Sequence, residues 1–197
     1  MVARRAYPMP SMKRASSPRT VRRTPRLACR RQQPENGSVM TVEQRLAALE
    51  ARAAITDLVS RYALGADRRN DPALMGPLFA ADGSWSSEGF AALEGREAIA
   101  AGLAAIAADK VLWSIHFMVA PVITLADTGM SGSCQWYLWE LCTMQTDEGP
   151  QDQWLGGWYD ATVSNTEDGW RFQTVVLDIR TQGNIAPPLF LKKSAAG

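Results

Sequence analysis

Histidine occurs once in these 197 residues, at His116 inside "WSIHFMVAP". An imidazole titrates near neutrality and can take up a proton and return it, so it is the side chain best suited to moving protons at an apolar site. A lone histidine in an apolar run is nevertheless more often a satisfied core residue than a catalyst. What changes its standing is a second stretch, "CQWYLWELC", which carries Glu140. Strand alternation puts Ser114, His116 and Met118 on one face, and Cys134, Trp136, Leu138, Glu140 and Cys142 on one face of a neighbouring strand. If both faces point inward, a histidine and an acid share an apolar pocket. A carboxylate there is costly unless paired or protonated, a cost that functional sites carry. The opposite arrangement, with Glu140 in solvent and Trp139 in the core, fits equally well, because the segment is apolar on both faces.

Other kinds of chemistry lack their residues. One histidine and widely spaced cysteines make no zinc pattern. Gly-rich phosphate loops and a Gly-x-Ser-x-Gly elbow are absent, so neither nucleotide use nor a serine triad built on His116 is expected. The expectation is chemistry without a metal or cofactor. Cys134 and Cys142 stand eight positions apart on one segment, about 25 Å if it is extended, so they cannot bridge within that strand.

The elements that must position His116 and Glu140 can be read from periodicity. "TVEQRLAALEARAAITDLVSRYALGADRR" places Leu46, Leu49, Ala53, Leu58 and Tyr62 near helical spacing, with Thr41 as a cap, and reads as one long helix or two joined ones. "DPALMGPLFAADGSWSS" gives a short helix broken around Gly76 and Pro77, then a turn and a short strand around Trp85. "GREAIAAGLAAIAA" is a further helix. Four strand-like stretches follow, divided by turns at 127–129, 148–150 and 167–169. Helices first and a meander afterwards predicts an α+β fold, with N-terminal helices packed on a curved, mainly antiparallel sheet. Such a sheet forms a cone around an apolar pocket, whose wall Trp154, Trp158 and Trp170 help to build.

Charge divides the chain. Residues 1–39 hold ten Arg/Lys against one acid, and the remainder is acidic by eight charges. The first segment is rich in Arg, Ser and Pro and has no apolar period, which predicts a disordered basic extension. A nucleic-acid arm would sit on a domain with a basic face, and this domain is acidic. A transit peptide would prefer a helix that the prolines oppose. The functional protein is therefore expected to start near Met40, with a targeting segment as the alternative. The domain is expected over 40–182 and a tail over 183–197. No apolar run reaches eighteen residues, so neither a membrane nor nucleic acid is an expected partner, and the expected location is cytoplasmic.

"RYALGADRRNDPALMGPLFAADGSW" and the order of elements resemble the SnoaL-like branch of the nuclear transport factor 2-like superfamily, over roughly residues 40–182. That branch includes scytalone dehydratase and the bile acid 7α-dehydratase. The resemblance implies a cone fold with a buried site, and it carries residues over by position. Tyr62 stands five before Asp67, as in the bile acid dehydratase pattern, and His116 precedes Pro121 by five. Glu140 closes "WYLWE" where the family has an aspartate, and Arg180 in "LDIRTQ" roughly matches an arginine of the last strand. Tyr62, Asp67, His116, Glu140 and Arg180 are thus the catalytic candidates. Trp85, Met118, Trp136, Leu138, Trp158 and Asp160 are the candidates for contact with substrate. The second histidine of scytalone dehydratase has no counterpart here, its place falling in "WLGGWYDA", so that mechanism does not transfer whole.

The residues themselves qualify these roles. Tyr62 and Asp67 lie about 140° apart on an ideal helix, so their convergence requires the helix to end or bend near Gly65. Arg180 can equally form a surface ion pair with Asp178. The expected reaction is removal of water from a hydrophobic hydroxy-carbonyl compound of steroid, polyketide or aromatic type. His116, oriented by Asp67, removes a proton beside the carbonyl, Tyr62 hydrogen-bonds to the oxygen that gains charge, and Glu140 or the imidazolium helps hydroxide leave. The alternatives are isomerisation or cyclisation of a similar substrate, or a noncatalytic binding or assembly domain. The resemblance also implies a homo-oligomer, trimer or dimer, through the outer face of the sheet.

Overall fold

The computed structural model describes residues 40–90 and 92–186. The expectations for 1–39, Cys29 and the end of the tail lie outside the described residues. Helix α1 (Val42–Asp67) opens with a capping box, in which Thr41 accepts from the Gln44 amide and the Gln44 side chain accepts from the Thr41 amide. It runs as a single helix to Asp67. Its buried residues are Ala51, Ile55, Leu58, Val59, Tyr62, Gly65 and Ala66, a stripe at i, i+3 and i+4. The expected stripe was shifted: Leu46 and Leu49 are 53% and 64% exposed, and Ala53 is exposed too. Gly65 does not end the helix. It lets α1 approach the next helix, because a Cβ there would stand 2.5 Å from the Met75 sulfur.

Helix α2 (Pro72–Met75), capped by Asp71, passes into a single 3-10 turn at Gly76–Leu78. Strands β1 (Phe79–Ser87) and β2 (Leu93–Glu94) precede α3 (Arg96–Lys110). Four long strands follow: β3 (Val111–Leu125), β4 (Ser131–Thr146), β5 (Gly149–Thr166) and β6 (Gly169–Asn184). The six strands form one sheet in the order β2-β1-β6-β5-β4-β3. The β3–β6 meander is antiparallel, as its turns predict, but β1 joins it by a parallel pairing with β6. The fold is thus α+β, with helices packed against a mixed, curved, unclosed sheet.

The core lies between the helices and one face of this sheet. Ile55, Leu58 and Tyr62 of α1 meet Trp136 and Leu138 of β4, Tyr159, Ala161 and Val163 of β5, and Phe172 and Val175 of β6. In β3 the ladder shifts register between Val119 and Val122, with Ala120 at φ 53 just before Pro121. Proline has no N–H to give the ladder, and a bulge is where a strand tolerates one. No helix among the described residues is long and apolar enough to cross a membrane.

Candidate active site

Antiparallel pairing sets His116 of β3 directly across from Glu140 of β4, with Ser114 across from Cys142 and Met118 across from Leu138. Burial alternates along β4, with Cys134, Trp136, Leu138 and Cys142 enclosed and Gln135, Tyr137 and Trp139 exposed. Glu140 therefore points inward, beside His116, and Trp139 points out.

Asp67 reaches the same histidine from behind, from the last residue of α1. Its Oδ1 accepts the His116 backbone N–H at 2.7 Å and lies 2.8 Å from Nδ1. The other ring nitrogen, Nε2, stands 3.4 Å from Glu140 Oε2, a loose ion contact longer than a well-formed hydrogen bond. The imidazole, only 11% exposed, is thus gripped by one carboxylate and faced by another. Burial pushes its pKa down, but the contacts with Glu140 and then Asp67 outweigh this and hold it above the ordinary 6.5. The separation of Tyr62 and Asp67 around α1 thus needs no bend. Tyr62 faces the core, whereas Asp67 faces β3.

Tyr62, Trp85, Ser114, His116, Glu140 and Tyr159 border a cavity of about 130 Å³, closed otherwise mostly by apolar side chains such as Leu103, Leu155 and Ile179. Tyr62 is buried, and its hydroxyl accepts from Trp85 Nε1 at 3.0 Å. Burial holds its phenol well above the usual tyrosine range. Two buried thiols lie on the same face of β4. Burial raises Cys134 to about 11, and burial with the nearby Glu140 raises Cys142 to about 12, so neither is a ready nucleophile. Among the described residues no three or more His, Cys, Asp or Glu side chains are placed to hold a metal ion.

The remaining candidates lie elsewhere. Trp136 and Leu138 belong to the packed core and the half-buried Met118 packs against it, and none of the three lines the cavity. Arg180 sits on the outer face of the sheet, paired with Asp178 and stacked 4.5 Å over the Trp158 ring. Asp160 is exposed and accepts from Gln135 at 2.7 Å. Along β5 the cavity is reached from the opposite parity, by Leu155 and Tyr159. "YDATVS" carries that signal: Tyr159, Ala161 and Val163 alternate with Asp160, Thr162 and Ser164, apolar against polar.

Helices laid on a curved sheet, with one inward histidine between two acids, define a pocket protein of the nuclear transport factor 2-like class. A model of the SnoaL-like domain matches residues 47–176, and the chain belongs to that family. Solved structures agree on the fold. A hexachlorocyclohexane dehydrochlorinase, LinA-type3 from Novosphingobium barchaimii, is 21% identical with a TM-score of 0.68 over 75% of this chain and 99% of its own. Another LinA structure gives 20% identity and a TM-score of 0.69 over 75% of this chain and 98% of its own. A scytalone dehydratase candidate from Novosphingobium aromaticivorans gives 18% and 0.62, over 72% of this chain and 91% of its own. No curated protein matches this chain by sequence.

Proposed function

We propose that the protein is a lyase that eliminates water from a small, apolar hydroxy-carbonyl compound without a cofactor. The observation that carries this is the placement of His116 on a cavity wall, with Nδ1 committed to Asp67 and Nε2 beside Glu140. With its proton on Nδ1, toward Asp67, the neutral ring has its free electron pair on Nε2, on the side of Glu140. Nε2 takes the proton from the carbon next to the carbonyl, and the C–H electrons move toward the carbonyl oxygen as an enolate, from which the new double bond forms as hydroxide departs. The C–O bond then breaks, and hydroxide leaves as water on receiving a proton from Glu140 or the imidazolium. Asp67 stabilises the imidazolium that forms, as the buried acid of a histidine dyad does.

The cavity sets the size of the substrate. At about 130 Å³ it resembles engineered cavities of about 150 Å³ that admit benzene, which favours a single ring over a steroid. The names of the structural neighbours, a dehydrochlorinase and a dehydratase candidate, both describe eliminations. Isomerisation shares the first step and differs only in where the proton returns.

The test is direct. Single-ring β-hydroxy ketones are incubated with the protein and with Asp67→Asn, the enone product is followed by absorbance, and the His116 NMR signal is titrated in parallel. The reading expects enone formation by the unmodified protein alone, and a His116 midpoint that falls in the variant. No turnover together with an unchanged midpoint would sink it.

A second part of the proposal concerns assembly. We place a second copy of the chain against the outer sheet face, where Phe117, Val119, Tyr137 and Trp139 are exposed. Phe117 pairs with Trp139 and Val119 with Tyr137 across β3 and β4, so the four make one apolar patch of the kind that marks an interaction site.

A further inference from the structure

Helix α1 buries one side and leaves an apolar row open on the other. Val42, Leu46, Leu49 and Ala53 follow one another at steps of four, three and four residues, the spacing that keeps side chains along one face of a helix. The three larger ones are 71%, 53% and 64% exposed, and Ala53 is exposed as well. The same steps continue through Thr56 and Ser60, also exposed. Their hydroxyls donate to the carbonyls of Arg52 and Thr56 at 2.8 and 3.0 Å, so a partner laid over them leaves neither hydroxyl proton unpaired. The buried residues Ala51, Ile55, Leu58 and Tyr62 lie on the opposite side of the helix. The domain therefore stands behind α1, and nothing among the described residues covers the row.

Charge decides what fits there. Glu43, Glu50 and Asp57 border the row on one side, Arg45 and Arg52 on the other, and all five are exposed. Two such helices running in the same direction set the arginine edge of each against the acidic edge of the other, residue i against i+5. That brings Arg45 to Glu50 of the second copy, and Arg52 to its Asp57. Running in opposite directions, they would set acids against acids and arginines against arginines. The segment before Met40, with no apolar period in its sequence, offers no matching row.

We propose that α1 is a self-association surface, on which a second copy of the chain lays its own α1 in parallel and in register. Val42, Leu46, Leu49 and Ala53 meet their equivalents along the seam, and the arginine and acid edges close over it. This surface is distinct from the outer face of the sheet, and pairing through one does not require pairing through the other. A seam of under three heptads is short, so the pairing depends on protein concentration.

Cross-linking tests it. Cys29→Ser leaves only the two buried thiols, Cys134 and Cys142. In that background Leu46→Cys is compared with Ala47→Cys, which is exposed one position off the row. The full chain is mildly oxidised at rising concentration and read on nonreducing gels. The 46 variant should be joined into a covalent dimer about tenfold faster or more than the 47 variant, because pairing holds its two thiols at high effective concentration. Adding Arg45→Glu, or Glu50→Arg, sets like charges across the seam and should slow the joining about five- to tenfold, and both together should restore it. Every substituted residue of α1 is exposed, and melting curves with the His116 titration check that the fold and site are intact. Equal joining at 46 and 47 would overturn the proposal. So would Arg45→Glu joining as fast as its parent or faster, or a double reversal that stays slow, since either would mean that the two charged edges do not meet.

Discussion

The two faces of β4 are built from nearly the same residues and end in opposite conditions. On one, Trp136, Leu138 and Cys142 are sealed beneath the helices around Glu140. On the other, Tyr137 and Trp139 stand 59% and 46% exposed. Trp139 there stacks on Trp154 at 5.1 Å, and it lies so close over Gly156 that a Cβ would meet its ring at 3.2 Å. Apolar composition therefore does not tell inside from outside in this sheet. The position of α1 does, and the one acid among the inward residues of "CQWYLWELC" lies where β3 presents the histidine.

Substitutions on the two faces should separate cleanly, beginning with the most severe. Asp67→Asn keeps the shape but leaves Nδ1 without its carboxylate. Turnover should fall about a thousandfold or more, with a melting temperature within a few degrees of the parent and a lower His116 midpoint by NMR. Glu140→Gln should cost about a hundredfold and also lower the midpoint, since Glu140 contributes to its elevation. A midpoint unmoved by Glu140→Gln would break the inner-face picture.

The pH dependence has two opposite signs. The imidazole must be neutral to act as a base, so kcat/KM should rise with pH, with a midpoint above 6.5. Because folding raises that pKa, the associated stability is fully present below 6.5 and is lost as pH rises through the folded value. Chemical denaturation of the parent and Asp67→Asn at both ends of this window measures it. On the outer face, if a second copy docks there as proposed, Trp139→Glu should give a smaller species than the parent in sedimentation while leaving the His116 titration in place. The smallest effect is expected from Arg180→Ala. The Arg180 side chain is more than half exposed in its ion pair, so stability should change by less than about 1 kcal/mol and turnover by less than about twofold.

Local patterns carried much of the fold. The capping box at Thr41, the breaks at Gly76 and Pro77 and the turns of the meander are written in neighbouring residues, and each is found where the sequence puts it. The parallel pairing of β1 with β6 was not legible, because it joins segments some ninety positions apart and no local period encodes a distant partner. The site divides in the same way. Alternation alone placed His116 and Glu140 on definite faces, but it took packing to show that those faces meet. On β5 the bulk of Trp158 suggests the wrong parity, although the four residues after Tyr159 alternate cleanly in favour of the latter. Arg180 shares its parity with Asp178, and that pairing holds it outside.

One carboxylate oxygen of Asp67 receives both the main-chain N–H and the ring nitrogen of His116. For anyone wishing to redesign this protein, that double anchor separates a fixed coordinate from a free one. The imidazole is tied to the backbone and keeps its aim whatever stands opposite. Position 140 and the cavity wall carry no such tie, so a larger or differently shaped ligand is best admitted by varying them, with the aspartate and histidine left untouched.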